Sequence, residues 1–481
     1  MLDVLIIGAG ICGSATAYYL SRYDLKVCVV DREPDVAMGT TKANSAIIHA
    51  GYDPKPGTLL ASLNVEGNRL CGELAKELGF AFNRIGSYVL AFSAEDDETV
   101  KKLYERGMAN GVPGLEIHTK EQIKANEPNV SDAVTSGLYA PSAGIVSPWG
   151  YCLALAENAV ANGASFVLGS GVRSIEQKDG FFAVTLENGN TLEAKYVVNC
   201  AGIHAADICA MLGEREFEIY PSKGQYFLLD KSQCSVVSHV MFQCPSAVGK
   251  GVLVSPTAGG NLIVGPNAES GSEFDDLSTD SDGLDFVAEA AARTTTKINY
   301  RENVRCFAGL RANSDRDDFI IEPSKQNAHF INVAGIKSPG LSAAPAIAKY
   351  VVAMLGDMGL SLNEKAEIKY APRRVSFAKA TPEQREALVA SDPLYGSIIC
   401  RCNTVTEAEV VAACRSLIKP VSIDGIKRRA GTGMGRCQGG FCSPRVHEII
   451  SRELGIAYED VIQEKEGSYI VCGRIGDECD D

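Results

Sequence analysis

Two tight pairs of cysteines stand near the end of the chain, Cys400-Arg401-Cys402 and Cys437-Gln438-Gly439-Gly440-Phe441-Cys442. Four deprotonated thiols can hold a metal ion or an iron–sulfur cluster. Zinc commonly takes pairs spaced C-x₂₋₄-C, whereas here C-x-C, thirty-four intervening residues and C-x₄-C follow one another. On spacing alone a cluster, zinc and free thiols all stay open. At the other end, Gly8-Ala9-Gly10-Ile11-Cys12-Gly13 follows the apolar run Leu2–Ile7. Gly8 permits a tight turn, Gly10 lets backbone approach a pyrophosphate, and Gly13 lets a helix pack close to the strand. The helix N-terminus then faces the phosphates. Asp31, closing a second apolar run at Val27–Val30, can accept hydrogen bonds from a ribose.

These groups need a scaffold. Leu2–Ile7 reads as a buried parallel strand, residues 15–20 as helix, and Val27–Val30 as the next strand. Strand-like runs at 225–229, 251–254 and 261–264 alternate with Gly- and Pro-rich turns and predict a β-sheet in the middle of the chain. Beyond Gly359 the apolar periodicity fades into a polar, Pro-marked linker, in which Thr381 caps a short helix over 382–389. The tail reads as small helices and turns. Thr406 and Glu409 form a capping box for a helix ending near Leu417. Ser422 starts another that stops before Gly431, and Ser443-Pro444 opens a third running to about Leu454. The N-terminus of that last helix abuts Cys442, where its dipole favours a negatively charged thiolate site.

Composition excludes some partners. The 481 residues carry 46 Lys and Arg against 60 Asp and Glu, a net charge of −14. Nucleic acid is not expected, because phosphate binding needs a basic surface. An anionic membrane surface is disfavoured for the same reason. No apolar run approaches the roughly 20 residues of a spanning helix, so no transmembrane segment is expected. The first residues enter a strand at once, which predicts no signal peptide. Sixteen cysteines without a framework pattern predict reduced, mostly buried thiols in a cytoplasmic protein. Cys414, Cys472 and Cys479 lack partners at matching positions and stand outside the candidate metal set.

A family resemblance adds to this. Residues 39–51, Gly-Thr-Thr-Lys-Ala-Asn-Ser-Ala-Ile-Ile-His-Ala-Gly, resemble the second flavin-contacting loop of the glycine oxidase/D-amino-acid oxidase superfamily. Residues 197–202 resemble its strand and turn beside the FAD, and residues 334–345 its closing loop, whose helix points at the pyrimidine end of the flavin. The resemblance covers about residues 1–360 and implies FAD as cofactor. Only one dinucleotide fingerprint occurs, where enzymes using both FAD and NAD usually carry two. The implied cofactor residues are Gly8, Gly10, Gly13, Asp31, Thr40, Thr41, Asn44, Ser45, Ala201, Gly202, Gly335, Gly340, Leu341 and Ser342. The tail, with Arg436 to Cys442, resembles the bacterioferritin-associated-ferredoxin-like 2Fe–2S domain fused to anaerobic-type glycerol-3-phosphate dehydrogenases. That implies Cys400, Cys402, Cys437 and Cys442 as cluster ligands.

The expected architecture is α/β. A discontinuous Rossmann-like FAD-binding domain spans 1–79, 146–213 and 325–360. An α+β substrate domain with a β-sheet spans 80–145 and 214–324. A linker covers 361–394, a small all-α 2Fe–2S domain 395–460 and a tail 461–481. Arg311 and Arg316 match two arginines of the glycerol-3-phosphate dehydrogenases of this superfamily, and a guanidinium fork suits carboxylate or phosphate. The alternative for them is surface pairing with Asp315, Asp317 and Asp318. His49 is the candidate base for a substrate hydroxyl, or else a histidine that only hydrogen-bonds backbone or flavin. His239 is a weaker candidate base, and Lys337 a candidate contact to substrate anion or flavin. Residues 49–57 also resemble the L-2-hydroxyglutarate oxidases, and Asp53 stands where membrane-bound glycerol-3-phosphate dehydrogenases carry a basic, phosphate-facing residue. The reading is therefore a dehydrogenase that oxidises a small anionic secondary alcohol, sn-glycerol 3-phosphate first and L-2-hydroxyglutarate or another hydroxy or amino acid second. It passes electrons through the cluster to a protein partner. An oxidase using oxygen directly and an electron-transfer subunit are the rivals.

Overall fold

A computed structural model describes residues 1–245, 251–471 and 473. Its central layer is a parallel sheet in the spatial order Ser165–Val167, Val27–Val30, Leu2–Ile7, Thr191–Asn199 and Phe330–Ala334. The order explains the apolar character of the first run. Leu2–Ile7 is the middle strand, and Val4, Leu5, Ile6 and Ile7 are all buried. Helices Ile11–Leu20, Pro148–Ala161 and Gly340–Asp357 cover one face. The other face packs under Val172–Lys178 and Phe181–Leu186, which extend the sheet antiparallel from Thr191–Asn199. The first helix begins at Ile11, four residues before the position read from the sequence, because Gly10 itself serves as its N-cap.

A second sheet of nine strands stands beside the first. Its spine is the long antiparallel pair Ile219–Leu229 and Asn303–Ser314. Leu262–Gly265, Leu253–Pro256 and Val240–Gln243 follow, and Val240–Gln243 pairs parallel with Ser87–Ala91. Strands from before residue 145 and after residue 214 thus share one sheet. The runs read at 225–229, 251–254 and 261–264 all fall on or beside its strands, displaced by at most two residues at the ends except where 225–229 belongs to a longer strand.

The C-terminal module holds helices Glu407–Cys414, Ile423–Ala430 and Ser443–Leu454 around a core of Ile399, Val410, Ile426, Val446 and Ile450. It is not wholly helical. Ile398–Cys400 and Val405–Thr406 form a two-stranded hairpin that folds the Cys400–Cys402 loop back on itself. The capping box at Thr406 and Glu409 is formed, but its helix ends at Cys414, short of Leu417. Thr381 caps Pro382–Ser391 with Gln384 as its reciprocal partner. Cys414 is a buried helix thiol; Cys472 and Cys479 lie outside the described residues. Among the described residues, no helix is long and apolar enough to cross a membrane.

Candidate functional site

The carboxyl ends of the parallel strands open into a cavity of about 1130 Å³ that continues under the nine-stranded sheet. Gly8 leads into it with φ of +106°, and a Cβ there would lie 2.4 Å from the carbonyl oxygen of Cys200. Only glycine fits that turn. Gly13 is equally constrained from behind, since a Cβ would lie 1.9 Å from Gly8 O, so it packs the helix on the strand and does not line the cavity. Helix Ile11–Leu20 presents an N-terminus with no side-chain cap, at Gly10 on the cavity wall. Thr41 Oγ1 accepts from Ile11 N at 3.0 Å and links this terminus to the loop that follows. A second helix N-terminus without a side-chain cap, at Gly340 and Leu341, faces the same cavity. Two such termini offer oriented N–H groups and positive dipole ends to an anionic or electron-rich ligand.

Asp31 Oδ2 accepts from Ala9 N at 2.6 Å and Oδ1 from Glu33 N at 2.8 Å, and the carboxylate lines the cavity. Burial raises its pKa above the ordinary value. Thr40, Thr41, Asn44, Ser45, Ala201 and Gly202 complete the wall. Asn44 Nδ2 donates to Thr40 O and Thr41 O and so fixes the loop. Gly335 and Ser342, read as cofactor contacts, stand behind the wall. Gly335 makes a positive-φ turn against Ser314, and buried Ser342 accepts from His49 N at 2.8 Å. Close approach of helix Leu59–Leu78 fixes Ser342 further, because a Cβ at Gly67 would lie 2.2 Å from Ser342 O.

His49, Arg311 and Lys337 all line the cavity. The His49 ring stacks on Phe242 at 5.7 Å between centroids, and its Nε2 lies 3.1 Å from Ser338 Oγ. Arg311 donates to Asn267 O at 3.0 Å and Lys223 O at 3.4 Å, which aims the fork while leaving other N–H groups for a ligand. Arg316 does not join it. Its guanidinium turns away to Glu322, at 2.7 Å, and to Glu216 O. The ion pair is with Glu322 on the next strand and not with the neighbouring aspartates; Asp318 instead caps Leu59 N and Leu60 N. His239 is bonded to buried Glu127 at 2.6 Å and lies off the cavity. Asp53 lines the cavity, and its carbonyl accepts from Arg106.

The four tail cysteines form two pairs. Cys402 Sγ lies 3.6 Å from Cys437 Sγ, and Cys400 is hydrogen-bonded to Cys442. The Cys442 thiol holds Cys400 down to about 6, helped by the N–H groups of Asn403, Gly433 and Cys402. Burial opposes ionisation of Cys437, but the N–H groups of Phe441 and Gly439 and the Cys402 thiol hold it below its ordinary value. Cys402 and Cys442 are pushed up. Non-glycine residues follow both cysteines of the first pair in left-handed backbone, Gln438 at φ +46° directly after Cys437 and Thr404 at φ +53° two residues after Cys402. Among the described residues, no group of three or more His, Cys, Asp or Glu side chains is disposed to hold a single metal ion. The four thiols, ringed by N–H donors that favour negative charge, would hold a 2Fe–2S cluster, which would supply one-electron transfer.

Residues 3–354 match the family of FAD dependent oxidoreductases termed DAO. The chain belongs to the DAO family. Residues 398–452 match the BFD-like [2Fe-2S] binding domain. The chain is similar to a glycerol 3-phosphate dehydrogenase of Caloramator mitchellensis, 48% identical over 98% of both chains. It is 31% identical to the human mitochondrial L-2-hydroxyglutarate dehydrogenase over 64% of this chain and 71% of that one. Among solved structures, L-alpha-glycerophosphate oxidase of Mycoplasma pneumoniae with FAD bound is similar at TM-score 0.73 and 30% identity, over 78% of this chain and 99% of that one. FAD and a 2Fe–2S cluster are therefore the cofactors of this DAO-family oxidoreductase. The cavity fits the first: the Gly8 turn, two helix termini without side-chain caps and Asp31 lie in the order a dinucleotide requires.

The DAO-family cavity also has walls that the sequence motifs did not indicate. Glu464 and Lys465, beyond the cluster module, line it, as do Pro266, Phe274 and Leu277 from the loop after Gly265. Neither segment carries an apolar period or a motif. Cys12 and Cys200 line it as neutral thiols, with burial pushing Cys12 to about 12 and Cys200 well above its ordinary value.

Proposed function

We propose that this chain is a dehydrogenase that oxidises sn-glycerol 3-phosphate, with electrons leaving through the tail cluster to a protein acceptor. The observation that carries this reading is that Arg311, Lys337 and His49 face the same cavity as the flavin-binding segments. The full-length similarity to a glycerol 3-phosphate dehydrogenase supports it.

Arg311, oriented by Asn267 O and Lys223 O, binds the phosphate through its remaining N–H donors. Lys337 adds a second positive charge on the same wall. With the phosphate held, the secondary hydroxyl is directed to His49, whose imidazole takes its proton as the C–H bond breaks. Ser338 and Phe242 hold the imidazole for that step. When bound, FAD supplies the hydride acceptor, and the 2Fe–2S cluster supplies one-electron transfer. Gly340 and Leu341 offer helix N–H groups where negative charge develops. Cys402 is exposed, and Phe441, beside Cys442, is 77% exposed, which supports a protein acceptor docking at this edge. Buried, unpaired cysteines among the described residues support a reducing, cytoplasmic setting.

Asp53 favours a second reading. It stands on the cavity wall at the position where membrane-bound glycerol-3-phosphate dehydrogenases carry a basic residue, which keeps L-2-hydroxyglutarate and other hydroxy acids as alternative substrates. Anaerobic bleaching of the flavin across glycerol 3-phosphate, L-2-hydroxyglutarate, other hydroxy acids and amino acids separates these. Bleaching by a hydroxy acid and not by glycerol 3-phosphate would overturn the first reading. Bleaching by none of them would leave the electron-transfer subunit.

A further inference from the structure

Two of the loops that wall the flavin cavity, one through Asp31, Arg32 and Glu33 and the other through residues 39–45, are tied to the cluster module by one chain of charges that starts at Asp35, just behind the first. Arg429 donates to both oxygens of Asp35, at 2.7 and 2.8 Å. Arg428 donates to Asp35 at 3.1 Å and to Glu464 at 3.2 Å, and Glu464 receives Lys42 Nζ at 2.7 Å. The side chains of Asp35, Arg428 and Arg429 are 1%, 4% and 0% exposed. Around them, Glu157 pairs with Arg374 and Asp424 with Lys427, and Trp149 Nε1 donates to Lys42 O.

Burying the three charges of Asp35, Arg428 and Arg429 is a poor way to stabilise a contact, since apolar groups of similar volume commonly do as well or better. The best-attested use of such a buried network is to fix the register between the parts it joins. Here the parts are the two cofactor sites. Arg428 and Arg429 sit on helix Ile423–Ala430, which ends at Gly431 in left-handed backbone. Gly431 O accepts from Asn403 Nδ2 at 2.8 Å, and Gly435 packs so closely on Cys402 that a Cβ there would lie 3.2 Å from its Sγ. Gly435 follows Arg428 by seven positions, a span of at most about 25 Å. One short segment therefore touches the flavin loops at one end and the cluster thiolates at the other.

We propose that Asp35, Arg428 and Arg429, with Lys42 and Glu464, are positioning residues that set the separation of FAD and cluster and hence the rate at which electrons pass between them. The proposal rests on the reading that the flavin gives its electrons to the cluster. Reoxidising the two-electron-reduced flavin takes two successive one-electron transfers. Its protons return to water, and the downstream acceptor empties the cluster between transfers. Tunnelling falls steeply with distance, so a small slip of the module slows transfer without touching substrate oxidation.

The test uses the full chain carrying both cofactors. Asp35→Asn removes one charge of the pair. Because that variant leaves arginines buried and unpaired and can fail to fold, the double variant Asp35→Leu/Arg429→Met replaces the pair with apolar groups. Rapid-mixing absorbance follows flavin bleaching by glycerol 3-phosphate, and freeze-quenched electron paramagnetic resonance follows the reduced cluster. A parallel arm reduces the flavin by light with EDTA as the electron donor and no substrate, so failure of the substrate reading is separable. Expected is a slowing of cluster reduction by about tenfold or more in both arms, with flavin bleaching, FAD and iron contents near wild type. Unchanged cluster reduction in the double variant, or slowing only in proportion to lost iron or FAD, would overturn the proposal.

Discussion

The imidazole of His49 and the hydroxyl of Ser338 meet at 3.1 Å across the cavity wall, joining the segment after strand Ile47–Ile48 to the loop before helix Gly340–Asp357. The contact gives one ring nitrogen a defined partner while the ring packs on Phe242, inclined by 25°. His49→Gln is expected to slow substrate-driven flavin bleaching by about 10²–10⁴-fold. Ser338→Ala should cost less, because it only frees the ring to turn. Anaerobic rapid mixing measures both, and an unchanged rate in the glutamine variant removes His49 as the base.

Arg311 and Arg316 separate by what they touch. Arg311→Ala is expected to weaken substrate binding by about 2–5 kcal/mol, read as a raised KM. A Cβ at Gly224 would already lie 2.5 Å from Arg311 Nη2, so Gly224→Ala should push the fork aside and mimic part of that loss. Arg316→Ala breaks a partly exposed pair with Glu322 and a bond to Glu216 O, both off the cavity, and its kinetics should match wild type, with a stability change of about 0–1 kcal/mol. Equal kinetic losses at the two arginines would contradict the placement.

Gly8→Ala forces a Cβ into the Cys200 carbonyl, and the purified protein is expected to be largely free of FAD. Absorbance of the bound flavin after gel filtration checks this. Gly10→Ala, whose Cβ meets only Thr41 Oγ1 at 3.4 Å, tests the approach of the pyrophosphate instead, and weaker FAD binding with normal folding is expected.

Cys437→Ser should lower the iron content and abolish reduction of a protein acceptor, while substrate still bleaches the flavin anaerobically. Iron analysis and absorption spectra follow the cluster. If the variant keeps full turnover with oxygen alone, the protein is an oxidase and the cluster has another role.

Acid should loosen the cluster module. Burial alone would raise the Asp35 carboxyl, but Arg429 and Arg428 more than offset it and hold the pKa below its ordinary value. A depressed folded pKa contributes stability that is present above the unfolded value of about 3.9 and is lost as pH falls through the folded one. Melting temperature is therefore expected to fall on acidification below about pH 4, with Asp35→Asn flatter in that range and lower at neutral pH. Parallel curves for the two proteins would argue against a role for Asp35.

Much of the site was legible because it depends on neighbours in sequence. Gly8, Gly10 and Asp31 sit in a strand–turn–helix–strand whose geometry is local, and each cysteine pair is closed by a few residues. Arg316 was misplaced because its partner, Glu322, lies on a strand whose register the surrounding acidic run does not reveal. Ser342 and Gly335 carry the motif of the closing loop, but only packing against Gly67 and Ser314 shows that they stand behind it. Glu464 and Lys465 had no local signal at all, since only folding of the whole tail brings them to the cavity. The hairpin at Cys400 was hidden by its shortness, three residues against two.

The reach of Glu464 and Lys465 into the cavity makes the two cofactor sites share a wall. Glu464 lines the flavin cavity and receives Lys42 Nζ there at 2.7 Å. Loss of the segment that follows the cluster module would therefore open one side of the flavin cavity to water.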